Sequence, residues 1–256
     1  VGTALPINPG LFGFSSYQGP IVNLTFTDTG VERVMDILRP GMLRYPGGST
    51  SNSWNVTDGR WVSSASPTGG VGLYVNRTLA FPPGTFTPKA YMAGVGGQLP
   101  AAPVFNTNLV SMPDAPGVLD VMKGQGVAVQ HLELGNEKAD SNLTWYLTEA
   151  CPPVVRRARA LFPQADVSII GCFSHPWQQC APKLKAARGG SPGLTLFDAV
   201  SIHHYAPTNE TVSRAGSDLL QRSATLAACY PGLRTIARQV STDIAPDVSV
   251  WLDEFN

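Results

Sequence analysis

Two carboxylates stand at the ends of two apolar runs. Glu137 closes His131-Leu-Glu-Leu-Gly-Asn-Glu-Lys138, and Glu254 closes Val248-Ser-Val-Trp-Leu-Asp-Glu-Phe-Asn256. Each run has strand character, and a Gly-Asn-Glu corner is how a buried strand can deliver a carboxylate to the rim of a fold. A pair delivered this way could divide the work of cleaving a glycosidic bond. One carboxylic acid protonates the departing oxygen while the other, ionised, attacks the anomeric carbon, the two lying roughly 5 to 5.5 Å apart when configuration is retained. The donor needs a pKa raised by poor solvation and a nearby like charge. A single Glu at a strand end is more often a helix cap or a solvated rim charge. Two of them, each on an apolar strand with polar neighbours, favour the paired chemistry.

The elements that must position them alternate along the chain. Leu11–Phe14 reads as a first strand after Pro9-Gly10. Val31, Val34, Met35 and Leu38 recur at helical spacing within 28–38, with Thr27 or Asp28 placed to cap and Pro40-Gly41 to stop the helix. Met42–Tyr45 is a second strand, ended by Pro46-Gly-Gly48. Residues from about 49 to 84, rich in Ser, Gly, Asn and Thr, read as a long surface insertion. Thr87-Pro88 opens a helix towards Gly96. Strands are expected at Pro103–Asn106, Val127–Gly135, Val167–Ile170, Phe197–Tyr205 and Val248–Glu254. Helices are expected at Asp114–Lys123, from Pro152-Pro153 to Pro163, and from Ser217 to about Val240. Such alternation argues for parallel strands with helical crossovers. Seven strand–helix units of this length predict an α/β fold, a (β/α)8 TIM-type barrel lacking its eighth strand. The whole of 1–256 reads as a single barrel domain and as a fragment, or as a chain completed by a second polypeptide. In such a barrel the C-terminal strand ends form the active face. Tyr45, Asn106, Asn136, Glu137, His203, Tyr205 and Glu254 all fall there.

Composition sets bounds. Lys plus Arg, 18, equals Asp plus Glu, 18, and no basic run occurs, so charge gives no support to nucleic-acid binding. No apolar run approaches the ~18 residues that span a membrane. Val1-Gly-Thr-Ala lacks an initiator Met and an apolar signal core and reads as a mature or trimmed end. Asn-x-Ser/Thr sequons occur at Asn23, Asn55, Asn76, Asn142 and Asn209, nearly half of the 11 asparagines, which favours a secreted glycoprotein. Four cysteines fit that compartment. Cys172 and Cys180 would close a short loop, and Cys151 and Cys229 could then tie two helices together. Three connectivities are open on sequence alone. No Cys/His spacing resembles a zinc site, and the paired-carboxylate chemistry calls for no cofactor.

Four segments in order, Leu43-Arg-Tyr-Pro-Gly-Gly48, Glu133-Leu-Gly-Asn-Glu137, Ile202-His-His-Tyr205 and Val250-Trp-Leu-Asp-Glu254, together resemble glycoside hydrolase family 79. That is the heparanase and β-glucuronidase group of a large (β/α)8 glycosidase clan. The Asn-Glu pair alone is shared across the clan; the His-His-Tyr and Trp-Leu-x-Glu ends narrow the resemblance. It implies Glu137 as acid/base, Glu254 as nucleophile, Asn136 as the ligand of the sugar 2-hydroxyl and Tyr205 as a partner of the nucleophile. The family also carries a β-sandwich domain, which this chain lacks. Strand alternation puts His203 on the face of Tyr205, lining the pocket, and turns His204 outward. Arg44 could pair with Glu133 or keep Glu254 ionised. Asn106 could touch the substrate or cap the following helix. Lys138 stands where the family commonly has Pro, and could bind a uronate carboxylate. Asp253 stands before the nucleophile, and regular alternation would turn it to the helices.

The expectation is a secreted, or alternatively lysosomal or vacuolar, retaining β-glycosidase acting on oligo- or polysaccharides that contain glucuronic acid. Zero net charge argues against a highly sulfated polymer. Two alternatives stay open. One is a non-catalytic structural or carbohydrate-binding glycoprotein that assembles with other chains. The other is a related arabinosidase or xylosidase.

Overall fold

The computed structural model describes residues 13–15, 25–61, 81–94, 103–109, 115–172, 175–190, 193–204 and 234–255. Seven parallel strands form one sheet: β1 (Gly13–Ser15), β2 (Met42–Tyr45), β5 (Val104–Thr107), β6 (His131–Leu134), β7 (Asp166–Ile170), β8 (Ala199–His204) and β9 (Ser249–Phe255). They are hydrogen-bonded in chain order, β1-β2-β5-β6-β7-β8-β9. Consecutive parallel neighbours joined by helices make the barrel that the alternation predicts, and no eighth strand joins it among the described residues.

The helices are α1 (Thr29–Leu38), α2 (Pro88–Gly94), α3 (Ala115–Gly124), α4 (Cys151–Leu161) and α5 (Trp177–Gly189). A single turn at Leu143–Trp145 and a π turn at Tyr146–Ala150 lead directly into α4. That lead-in and α5 are absent from the sequence reading. Residues 143–150 mix Thr, Glu and Trp without a clear apolar stripe, and α5 carries Pro182 in its interior. A π turn, Val240–Ile244, follows helical residues 234–239 at the end of the expected last helix.

Strand alternation sorts the side chains. On β2 and β5, Tyr45 and Phe105 face the helices while Arg44 and Asn106 meet Glu133 of β6 inside the barrel. The outer side chains join an aromatic cluster of Phe26, Tyr45, Trp54, Phe86, Tyr91 and Phe105, mostly edge-to-face. Trp54 Nε1 donates to Tyr45 Oη at 3.1 Å, and Tyr45 in turn donates to the Phe86 carbonyl. Burial holds the Tyr45 hydroxyl far above its ordinary pKa. This corrects the reading of 49–84 as surface throughout. Ser51, Asn52, Trp54 and Val56 are buried around a two-stranded ribbon, β3 (Trp54–Asn55) with β4 (Arg60–Trp61). Residues 62–80 of that stretch lie outside the described residues.

At the opposite end of the barrel, Asp198 accepts from Arg159 Nη2 at 2.5 Å and from the Val167 backbone at 2.8 Å, tying the starts of β7 and β8. Cys172 and Cys180 form the expected disulfide. The second pairing is not seen. Cys151 is a free, fully buried thiol hydrogen-bonded to Tyr146, and Cys229 lies outside the described residues.

Candidate active site

The site is built on β6. His131–Leu134 is a buried strand, and Gly135 at φ 81° takes a left-handed turn that a Cβ would strain. The chain thereby leaves the strand and presents Asn136 and Glu137 at the rim, where a 3-10 turn, Glu137–Asn142, begins. A similar device follows β2: Gly47, at φ 72° and ψ 161°, occupies a region open essentially to glycine alone.

Glu133, fully buried, is the hub. Arg44 grips it with two nitrogens, Nε to Oε2 at 2.5 Å and Nη2 to Oε1 at 2.9 Å. Nη2 of Arg44 also donates to Asn136 Oδ1 at 2.8 Å. Asn106 Nδ2 donates to Glu133 Oε2 at 2.7 Å and to the Gly135 carbonyl at 2.6 Å. Burial pushes the Glu133 carboxyl up, but the charge and hydrogen bonds of Arg44, helped by His203 and Asn106, outweigh it and hold the group below its ordinary value. A buried carboxylate ion-paired to Arg44 and hydrogen-bonded to Asn106 stays ionised.

Glu137 is less deeply set, its side chain 17% exposed against 1% for His203. The two are joined by a contact of 3.0 Å between His203 Nδ1 and Glu137 Oε1, and the tautomer decides which of them donates. His203 Nε2 lies 4.0 Å from Glu133 Oε1, so this ring stands between the two carboxylates of the β6 segment.

The register of β8 with β9 places Glu254. Ile202 pairs with Leu252, but His203 pairs with Glu254, so Asp253 is an extra residue on β9. This is a β-bulge, a device concentrated beside active sites. Trp251 meets His131 inside the barrel, ring centroids 5.5 Å apart, so unbroken alternation would have brought Asp253 into register beside His203. The bulge brings Glu254 there instead. The backbone register beside His203 is therefore set by the bulge rather than by the regular alternation invoked in the sequence.

Of the expected site residues, the structure therefore gathers Asn106, Asn136, Glu137 and His203 at one end of the barrel, together with Arg44 and Glu133. Asn106 is engaged by the protein through Nδ2. Its Oδ1, like Asn136 Nδ2, is buried without a hydrogen-bond partner among the described residues. Lys138 follows Glu137 in the 3-10 turn, but its side chain, like that of Glu254, is outside the described atoms, as is all of Tyr205. Of the sequons, Asn142 is exposed and accepts from the Trp145 amide at 3.2 Å, while Asn55 Oδ1 accepts from the Thr57 amide at 2.9 Å. Asn23, Asn76 and Asn209 lie outside the described residues. No cluster of His, Cys, Asp and Glu able to hold a metal ion occurs among the described residues, and no described helix is long and apolar enough to cross a membrane.

Comparison with known proteins identifies the fold. No protein-family model matches the chain, and no curated protein matches its sequence. Solved structures do. AbfB, a family 51 α-L-arabinofuranosidase from Bifidobacterium longum, superposes with a TM-score of 0.62 over 98% of this chain at 16% identity. CelM2, a bifunctional glucanase-xylanase from a metagenome library, superposes with a TM-score of 0.53 over 98% of the chain at 12% identity. The chain spans 56% of the first protein and 67% of the second. Its fold is the α/β barrel of these glycosidases.

Proposed function

We propose that this chain is the catalytic barrel of a retaining glycosidase, with Glu137 as acid/base and Glu254 as nucleophile. The observation that carries the reading is His203. Its ring contacts Glu137 at 3.0 Å while its backbone on β8 is paired with that of Glu254 on the neighbouring β9, so one residue touches the first glutamate and lies in register with the second. The glycosidase barrels that share the fold support the same reading.

In this scheme Glu254 attacks the anomeric carbon, the C–O bond to the leaving group breaks, and Glu137 gives its proton to the departing oxygen. Water then enters, Glu137 takes a proton from it, and the resulting hydroxide displaces Glu254 from the glycosyl-enzyme, releasing the sugar with its configuration retained. Asn136 Nδ2, buried and free of a described partner, is the donor available for the sugar hydroxyl adjacent to the reacting carbon. The substrate we propose is a β-glucuronide, on the resemblance to glycoside hydrolase family 79. An α-L-arabinofuranoside is the second reading, favoured by the likeness to AbfB.

Glu137→Ala, assayed on 4-nitrophenyl β-D-glucuronide and 4-nitrophenyl α-L-arabinofuranoside, tests both parts. The variant should lose at least ~100-fold in kcat on whichever substrate the unaltered protein cleaves, because 4-nitrophenolate leaves without acid help while hydrolysis of the glycosyl-enzyme loses its base. Added azide should restore turnover and yield a glycosyl azide of retained configuration. Unchanged activity, or an azide product of inverted configuration, overturns the assignment.

A further inference from the structure

The buried carboxylate of Glu133 does not touch the proposed substrate space, yet every polar group of the site described so far is attached to it directly or through one neighbour. We propose that Glu133 is the positioning residue of this site: through Arg44 it locks the amide of Asn136 with Nδ2 turned towards the sugar, so that recognition of the hydroxyl beside the cleaved bond depends on a residue that never meets the substrate. The inference rests on the retaining-glycosidase reading and deepens it.

Donors and acceptors set the orientation of the Asn136 amide. A guanidinium has donors only, so the group that Arg44 Nη2 meets at 2.8 Å must be the Asn136 carbonyl oxygen, and the amide nitrogen must lie on the other side. That orientation holds only while Arg44 is itself held. Two of its nitrogens also meet the two oxygens of Glu133, a two-point grip that fixes the plane of the guanidinium. Asn106 closes the frame by binding both Glu133 Oε2 and the Gly135 carbonyl, which fixes the backbone from which Asn136 projects. The Asn136 side chain is fully buried, so a flipped amide would bring an N–H against Arg44 and could not turn to water for relief. Among the described residues, the charged or titratable groups facing Glu133 are Arg44 from β2 and His203 from β8.

Replacing Glu133 by Gln keeps the shape but offers Arg44 one acceptor instead of two and sets an N–H2 against a guanidinium edge. Arg44, now gripped at one point by residue 133, no longer keeps the plane of its guanidinium, and the Asn136 amide loses its lock. The variant Glu133→Gln should therefore fail selectively. Its kcat/KM on a 4-nitrophenyl glycoside should drop about 100-fold, the loss seen when one oriented transition-state donor is removed. On the 2-deoxy glycoside, which offers nothing for Asn136 to hold, the same variant should drop less than about 3-fold relative to the unaltered protein. Arg44→Lys, which keeps a charge beside Glu133 but has no second nitrogen to reach Asn136, should show the same selectivity. An equal loss on both substrates in either variant overturns the proposal and leaves Glu133 a purely structural residue.

If both variants fail to fold, the unaltered protein decides. The Arg44 Nε–H resonance in a 15N-labelled sample should be shifted downfield and exchange slowly with solvent. A rapidly exchanging Arg44 Nε–H overturns the lock. A protein that cleaves no glycoside at all overturns the proposed function instead, and the same resonance still judges the positioning.

Discussion

His131 and Glu133 sit one pleat apart on the inner face of β6, and acid reaches them in turn. Burial lowers the His131 pKa below its usual 6.5, and Asp166, 3.8 Å away, only partly counters it. The fold therefore prefers the neutral ring. Its contribution to stability is whole above the unfolded value and is lost as pH falls below about 6.5 towards the lower folded value. Glu133 is also lowered, but as an acid. Its contribution is whole above an unfolded value of about 4.3 and is lost as pH falls through the folded one. The thermal midpoint should thus decline in two stages between pH 7 and pH 3. His131→Gln should remove the first stage and keep the second. A variant whose profile parallels that of the unaltered protein between pH 7 and 5 would show that His131 carries no such linkage.

Elements are held in place by a few shared polar groups, and Tyr146 is the clearest. Its hydroxyl donates to the Leu134 carbonyl at 2.6 Å and accepts from the Ile170 amide at 3.0 Å. One buried atom thus joins the ends of β6 and β7 just below the Gly135 turn. Tyr146→Phe leaves both backbone groups short of a partner in a dry interior, at a cost of about 1–3 kcal/mol in urea unfolding. A neutral substitution would mean that these groups find other partners and that the turn is set by Gly135 alone. The sequence shows this framework unevenly. The strands are legible because their apolar runs are short, bounded by Pro and Gly, and end in polar residues at equal depth. The Arg44–Glu133 pair is visible only as one of two possibilities, because the choice depends on which strand ends lie side by side. The lead-in to α4 has no apolar periodicity to reveal it, and α5 hides behind Pro182. The bulge at Asp253 has no sequence mark at all. It arises from pairing with β8, and a strand read alone gives only regular alternation.

At the scale of the molecule, seven parallel strands bring residues from β2, β5, β6 and β8 into one cluster, with the backbone of β9 aligned beside it. Residues as far apart in sequence as Arg44 and Glu133 are 2.5 Å apart in space because β2, β5 and β6 follow one another in the sheet. Such a cluster, with a buried ion pair beneath a more exposed glutamate, is the arrangement a barrel offers for chemistry at its C-terminal rim. It would serve equally as a rigid floor for sugar binding without catalysis, so what separates the two is whether Glu254 forms a bond to the sugar. A 2-deoxy-2-fluoro glycosyl fluoride, incubated with the folded protein in glucuronide and arabinofuranoside forms and followed by peptide mass mapping, answers this directly. One stoichiometric glycosyl adduct is expected on Glu254, abolished in Glu254→Gln. Folded protein that takes no adduct, or takes it on another carboxylate, would contradict it.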